Sequence, residues 1–152
     1  MRGVVLLCGA VIATVLTASA IASDEIGVTA TIHRYIEGNN KNDQDLANAL
    51  CDEQAVIVDI FPPYLWQGAG SCAQWWNDAN AYDVKNGVTE QLVTADKPWH
   101  VDVSGDRAYV AVPVKYTYKQ KGKPVTETAI WTFIEQKVAP GWRITAWTWA
   151  RQ

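Results

Sequence analysis

The sequence predicts an α+β domain: a cone-shaped, strongly curved antiparallel sheet, built from a short hairpin and a four-stranded meander and covered by three N-terminal helices. Three observations carry this reading. Helical periodicity and helix caps occur only before Gly87. Everything after Gly87 is rich in β-branched and aromatic residues and is broken by the turn sequences SGD, QKGK and VAPG. Among the helix signals, one apolar run, AVIVDIF at 55–61, is followed by Pro62-Pro63 and then YLWQG, the pattern of two short strands folding back on each other. Long twisted strands with helices on one face curl, and a curled sheet leaves a hollow.

Residues 1–22, MRGVVLLCGAVIATVLTASAIA, have one positive charge at Arg2, an apolar run, and two small-residue cleavage patterns, ASA and AIA. This is the pattern of a secretory signal peptide, so residues 23–152 form the expected mature domain, secreted or periplasmic and free of the membrane after cleavage. Of the 13 basic and 16 acidic residues, removal of Arg2 leaves 12 against 16, a mature net charge of −4. Mild acidity excludes a protein built to neutralise phosphates, so no nucleic-acid partner is expected. The one basic cluster, KYTYKQKGK at 115–123, reads as a solvated hairpin tip.

From Asp24 to about Asn40, Ile26, Ala30, Ile32, Tyr35 and Ile36 mark an amphipathic helix. Asn42, Asp45, Leu46 and Leu50 mark a second, short one. Ser71 with Gln74 three residues on has the form of a capping box opening a third helix, CAQWWNDANAY. Two cysteines, Cys51 and Cys72, remain after export, and the midpoint between them falls at Phe61-Pro62, so the hairpin turn brings them together as a disulfide. The bridge removes both thiols as nucleophiles.

The meander comprises TEQLVTADKPWHVDV, RAYVAVPVKYTYK, PVTETAIWTFIEQ and GWRITAWTWA. Alternation places Ala129, Trp131 and Phe133 on one face of the third strand. In the last strand it groups Trp142 with Ile144, Ala146 and Thr148, and sets Arg143, Trp147 and Trp149 opposite. An outer face carrying Trp147 and Trp149 predicts a homodimer packed sheet to sheet. In the second segment, alternation predicts Trp99, Val101 and Val103 in the core, with His100 outside beside Asp102. His33 and His100, 67 positions apart, make no ligand pair, so neither a metal nor a cofactor is expected.

The segment RYIEGNNKNDQDLANALCDEQAVIVD, residues 34–59, resembles the nuclear transport factor 2-like superfamily, the cone fold shared by SnoaL-like cyclases and ketosteroid isomerase. The resemblance extends in element order over the whole mature domain, and WQG at 66–68 and GWRIT at 141–145 are similar to the SnoaL-like group. It implies that Tyr35 stands where the isomerase keeps a tyrosine donating to the enolate oxygen, and Asp59 where it keeps the proton-shuttling carboxylate. The position of the isomerase's protonated aspartate is held here by Trp131. An indole N–H is a weaker donor, so steroid isomerisation is not implied, because one lost oxyanion donor alone lowers rates by about 10²–10³.

Asp59 is also singled out without the resemblance, as a carboxylate among apolar neighbours. Alternation groups Ile57, Asp59 and Phe61 on one face and Val56, Val58 and Ile60 on the other. If the first trio looks into the cone, Asp59 sits on an apolar wall and is poised for proton transfer. Ile57, Phe61, Trp66, Trp75, Trp131 and Phe133 are then the expected ligand-binding side chains, unless the tryptophans plug the hollow. Three readings stand: a domain binding a small, mostly apolar molecule; a cofactor-free isomerase, dehydratase or cyclase with Asp59 as base and Tyr35 as donor; and a non-catalytic dimerisation scaffold.

Overall fold

The computed structural model describes residues 11–152, with side chains described from residue 22 onward. The predicted leader, residues 1–22, lies outside the described residues up to residue 10, and its remainder belongs to the first helix. That helix, α1 (Val11–Lys41), is followed by α2 (Gln44–Leu50), β1 (Cys51–Val58), β2 (Leu65–Trp66), α3 (Ser71–Asn86), β3 (Val88–Ala95), β4 (His100–Ser104), β5 (Arg107–Gln120), β6 (Lys123–Val138) and β7 (Gly141–Arg151). No helix among the described residues is long and apolar enough to cross a membrane.

The face of α1 that packs on the sheet is Val28, Thr31, Ile32, Tyr35 and Ile36, the three-and-four spacing of an amphipathic helix. Ile26 and Ala30, expected on this face, are exposed. They lie nearly half a turn away from the Val28–Ile32–Tyr35 line, which the sheet covers. Close approach of α1 to α2 requires Gly38, where a Cβ would stand 3.1 Å from the Ala47 amide nitrogen. Helix α2 is capped by Asp43, whose Oδ1 accepts from the Leu46 N–H at 3.0 Å.

At α3 the predicted capping box does not form. Gly70 is the N-cap, in the left-handed region at φ 74°, and makes no side-chain cap bond. The Ser71 hydroxyl instead donates to the Ala55 carbonyl at 2.6 Å, fixing the start of α3 to β1. Beside it Cys51 and Cys72 form the predicted disulfide, with Cα atoms 6.5 Å apart.

The sheet is curled, unclosed and mixed. Its order is β2-β1-β7-β6-β5-β3, with β4 also on β5. The hairpin joins the meander through a parallel pairing of β1 with β7, a departure from the all-antiparallel expectation. The segment expected as one first meander strand is two, β3 and β4, both antiparallel to β5. Pro98 lies in the break between them, where a missing N–H interrupts the ladder. His33 and His100 are exposed. Trp99, expected in the core, is 66% exposed.

One irregularity decides which way the last strand faces. Ile134 pairs with Ala146 and Glu135 with Ile144, leaving Thr145 as a bulge. The Thr145 hydroxyl donates to the Ile134 carbonyl at 3.2 Å. The extra residue shifts the alternation by one, so Trp142, Ile144, Trp147 and Trp149 all point into the cone. Trp147 is 3% exposed. The expected placement of Trp147 and Trp149 on the outer face is thereby corrected: strict two-residue alternation does not survive a bulge.

Candidate functional site

The chain turns sharply after β1. The Asp59 N–H donates to the Tyr64 carbonyl and the Tyr64 N–H to the Phe61 carbonyl, closing a tight turn around Pro62-Pro63. The inward alternation of β1 continues through this turn. Ile57 and Phe61 are buried, and Asp59 between them is half-buried.

Asp59 lines a cavity of about 970 Å³ that opens to solvent between α3, the turn after β1, and the ends of β3, β5, β6 and β7. Of the six side chains expected to bind a ligand, Phe61, Trp75 and Trp131 share its wall. The hollow is therefore not plugged. Tyr35, Ile57, Trp66 and Phe133 are not on the wall but in the packed core behind it. Trp66 is held there by its indole N–H, which donates to Asp78 Oδ2 at 2.8 Å.

Indole rings separate Asp59 from Tyr35. Asp59 Oδ2 accepts from Trp75 Nε1 at 2.9 Å, and its Oδ1 from the Ile60 N–H at 2.7 Å. Trp75 packs edge-on against Trp147 with centroids 4.9 Å apart. Trp147 Nε1 in turn donates to the Tyr35 hydroxyl at 3.1 Å. Tyr35 is also wedged between the edges of Trp131 and Phe133. Burial holds its phenol well above the usual tyrosine range, which the Trp147 hydrogen bond only partly offsets. Burial likewise raises the Asp59 carboxyl, opposed by the Ile60 and Trp75 hydrogen bonds, raised further by the charge of Asp83 and lowered by that of Arg151.

A second polar group, missed in the sequence, faces Asp59 across the cavity. Asp83 on α3 accepts from Gln91 Nε2 at 2.9 Å, and Tyr116 donates to Gln91 Oε1. Burial raises the Asp83 carboxyl above its ordinary value. Glu127 on β6 accepts from the Tyr118 hydroxyl at 2.6 Å and from Arg151 Nη2 at 3.0 Å. Burial, then that bond to Glu127, pushes the Tyr118 phenol up to about 12. Two signals could have found these residues. Tyr116 and Tyr118 continue the inward series Val110, Val112, Val114 on β5, and Trp75, Ala79, Tyr82 and Asp83 share one helical face. The rim is fixed by Asn40, which bridges α1 to β3 by donating to the Val93 carbonyl at 2.8 Å and accepting from its N–H at 2.7 Å. No cluster of three or more His, Cys, Asp or Glu suited to a metal ion occurs among the described residues.

No protein-family model matches the chain. No curated protein matches its sequence either. Solved structures do match in shape. A nuclear transport factor 2-like protein with a cystatin-like fold from Novosphingobium aromaticivorans superposes with a TM-score of 0.75 at 14% identity, covering 94% of this chain and 92% of its own. The hexachlorocyclohexane dehydrochlorinase LinA-type3 from Novosphingobium barchaimii gives 0.74 at 11% identity over 90% of both chains. A ketosteroid isomerase-like protein from Erwinia carotovora gives 0.68 at 17% identity, over 84% of this chain and 95% of its own. With three helices on a curled, unclosed sheet of seven strands around an open hollow, the chain has the cone fold of the nuclear transport factor 2-like and ketosteroid isomerase-like proteins.

Proposed function

We propose that the protein is an exported domain that holds a small, mostly apolar molecule in its cone, with Asp59 as the polar anchor. The observation that carries this is the cavity of about 970 Å³ with Asp59 on a wall to which nine aromatic side chains contribute. Ligand pockets of about 300–1,000 Å³ accommodate small molecules. The leader-like N-terminus and the Cys51–Cys72 bridge support export to an oxidising compartment. The same reading includes a homodimer formed through the convex face of the sheet.

A second reading, a cofactor-free isomerase, dehydratase or cyclase, is favoured by one observation: Asp59 is a carboxyl raised by burial and open to the cavity. Its weakness is Tyr35, whose hydroxyl lies behind Trp147 rather than on the wall. Titration of the full chain with the neutral fluorescent probe N-phenyl-1-naphthylamine tests the first reading. Saturable binding at one site is expected, lost when Ala79→Trp fills the hollow and retained within about threefold in Asp59→Asn. Binding unaffected by Ala79→Trp would place the ligand elsewhere and end this reading. Turnover of any substrate that Asp59→Asn abolishes with affinity intact would establish the catalytic one.

A further inference from the structure

We propose that the ligand is an organic cation, an amine or quaternary ammonium on an apolar body, held by Asp59 and Asp83 among the aromatic faces of the cavity. The inference rests on the reading that the cavity holds a small molecule, and adds the charge of that molecule.

The argument begins with a charge inventory of the wall. Four carboxylates line the cavity (Asp59, Asp83, Glu90 and Glu127) and one cationic side chain, Arg151. Arg151 is committed to Glu127 at 3.0 Å, and Glu90 is paired with Lys119 at 2.7 Å. Asp59 and Asp83 remain. Among the described residues neither forms a salt bridge, and their side-chain partners are the neutral donors Trp75 and Gln91. Both are half-buried, and each lies where burial already works against its charge. The charge of Asp83 opposes that of Asp59, and Arg151, the one cation whose charge offsets it, is paired with Glu127, so two partly buried carboxylates without a salt-bridge partner make an unfavourable arrangement. A cation placed between them relieves it.

The remainder of the wall suits the same guest. Nine of its side chains are aromatic, and they come from three sides of the hollow. Trp75 and Tyr82 come from α3, Tyr116 and Tyr118 from β5, Trp131 and Trp149 from β6 and β7. Tyr116 meets Trp149 nearly at right angles with centroids 6.0 Å apart, and stacks at 4.7 Å on Tyr118, so differently oriented rings enclose one volume. Ring faces attract ammonium groups, most strongly where water is excluded, and a neutral apolar guest gains nothing from the carboxylates. An anionic guest would meet both carboxylates, with no unpaired cation on the wall among the described residues to offset them.

The test compares phenyltrimethylammonium with its neutral isostere tert-butylbenzene, titrated into the full chain at pH 7.5 and low salt. Tryptophan fluorescence is the readout, since Trp75, Trp131, Trp147 and Trp149 line the site. The cation is expected to bind at least about tenfold more tightly. The double substitution Asp59→Asn with Asp83→Asn should bring the two affinities together without abolishing binding of the isostere. Equal or tighter binding of tert-butylbenzene to the native protein overturns the cation inference and leaves the pocket reading standing. Failure of both probes to bind ends the pocket reading as well. A cation preference that survives the double substitution overturns the assignment to these carboxylates. The comparison on native protein stands even where a variant does not fold.

Discussion

Glu135 sets the pH dependence of this fold from within the core. It is 0% exposed on the inward face of β6, beside Ala108 and Ile144 on the neighbouring strands, and neither of its oxygens has a hydrogen-bond partner. Burial pushes its carboxyl up to about 8, so the side chain is neutral at pH 7 and an uncharged apolar core is preserved. The sign of the linkage follows. The unfolded chain gives up this proton near the ordinary carboxylate value, whereas the folded chain keeps it to about pH 8. Stability therefore falls as pH rises between those two values and levels off above the folded one, by on the order of a few kcal/mol in total. Asp59 and Asp83, also raised by burial, tilt the curve in the same direction. Glu135→Gln should flatten most of the decline between pH 5 and pH 9 in urea-unfolding midpoints. Parallel curves for the native protein and the variant would show that Glu135 finds a partner in solution. Nothing in the sequence flags this residue: FIEQK reads as the polar end of a strand, and only the curl of the sheet closes over it.

At the scale of elements, what joins α3 to β1 determines how firmly the cavity wall is held. The disulfide closes a separation of 21 residues, and the Ser71–Ala55 hydrogen bond lies at the same junction. Constraining a loop of about 20 residues in the unfolded chain stabilises the fold by roughly 3 kcal/mol. The double substitution Cys51→Ala with Cys72→Ala is expected to lower unfolding free energy by that amount. The variant should be indifferent to reductant, while the native protein loses a similar amount on reduction. Stability unchanged in the variant would mean that the α3–β1 packing alone holds the junction. The cysteine pairing was legible because an even count and a turn midway between the two sites are properties of the chain order. The element order, Asp59, Phe61, Trp75 and Trp131 were legible for the same reason, since periodicity and turn residues act locally. The bulge at Thr145 was not, because any β-branched residue there reads as continued alternation, and it reversed the placement of Trp147 and Trp149. The capping box at Ser71 failed for a related reason. A hydroxyl that can cap its own helix can also donate to a neighbouring strand, and only the tertiary contact decides between them.

For the whole molecule, the bulge moves the question of assembly rather than removing it. With Trp147 and Trp149 inside, the convex face is built by Val56 and Val58 on β1, Ala146 and Thr148 on β7, Ile130, Thr132 and Ile134 on β6, and Pro113 on β5. Strand pairing places these side by side: Val56 faces Ala146, Val58 faces Thr148, Thr148 faces Thr132, and Ile130 faces Pro113. The patch contains no charged residue, and Val56 and Val58 are 37% and 44% exposed with β-branched side chains. Among the described residues no helix covers this side, because Tyr35 and the rest of the packing face of α1 meet the concave side. A contiguous uncharged surface crossing four strands is the kind a monomer rarely leaves in water, and a second copy would supply a surface of the same composition. A stable dimer would bury about 800 Å² on each copy. Sedimentation equilibrium at micromolar concentration is expected to give twice the chain mass. Ile134→Glu, on the patch and not on the cavity wall, should give the chain mass with probe binding unchanged. A native protein sedimenting as a single chain would leave the convex face without this role. A dimer indifferent to Ile134→Glu would place the interface on another surface.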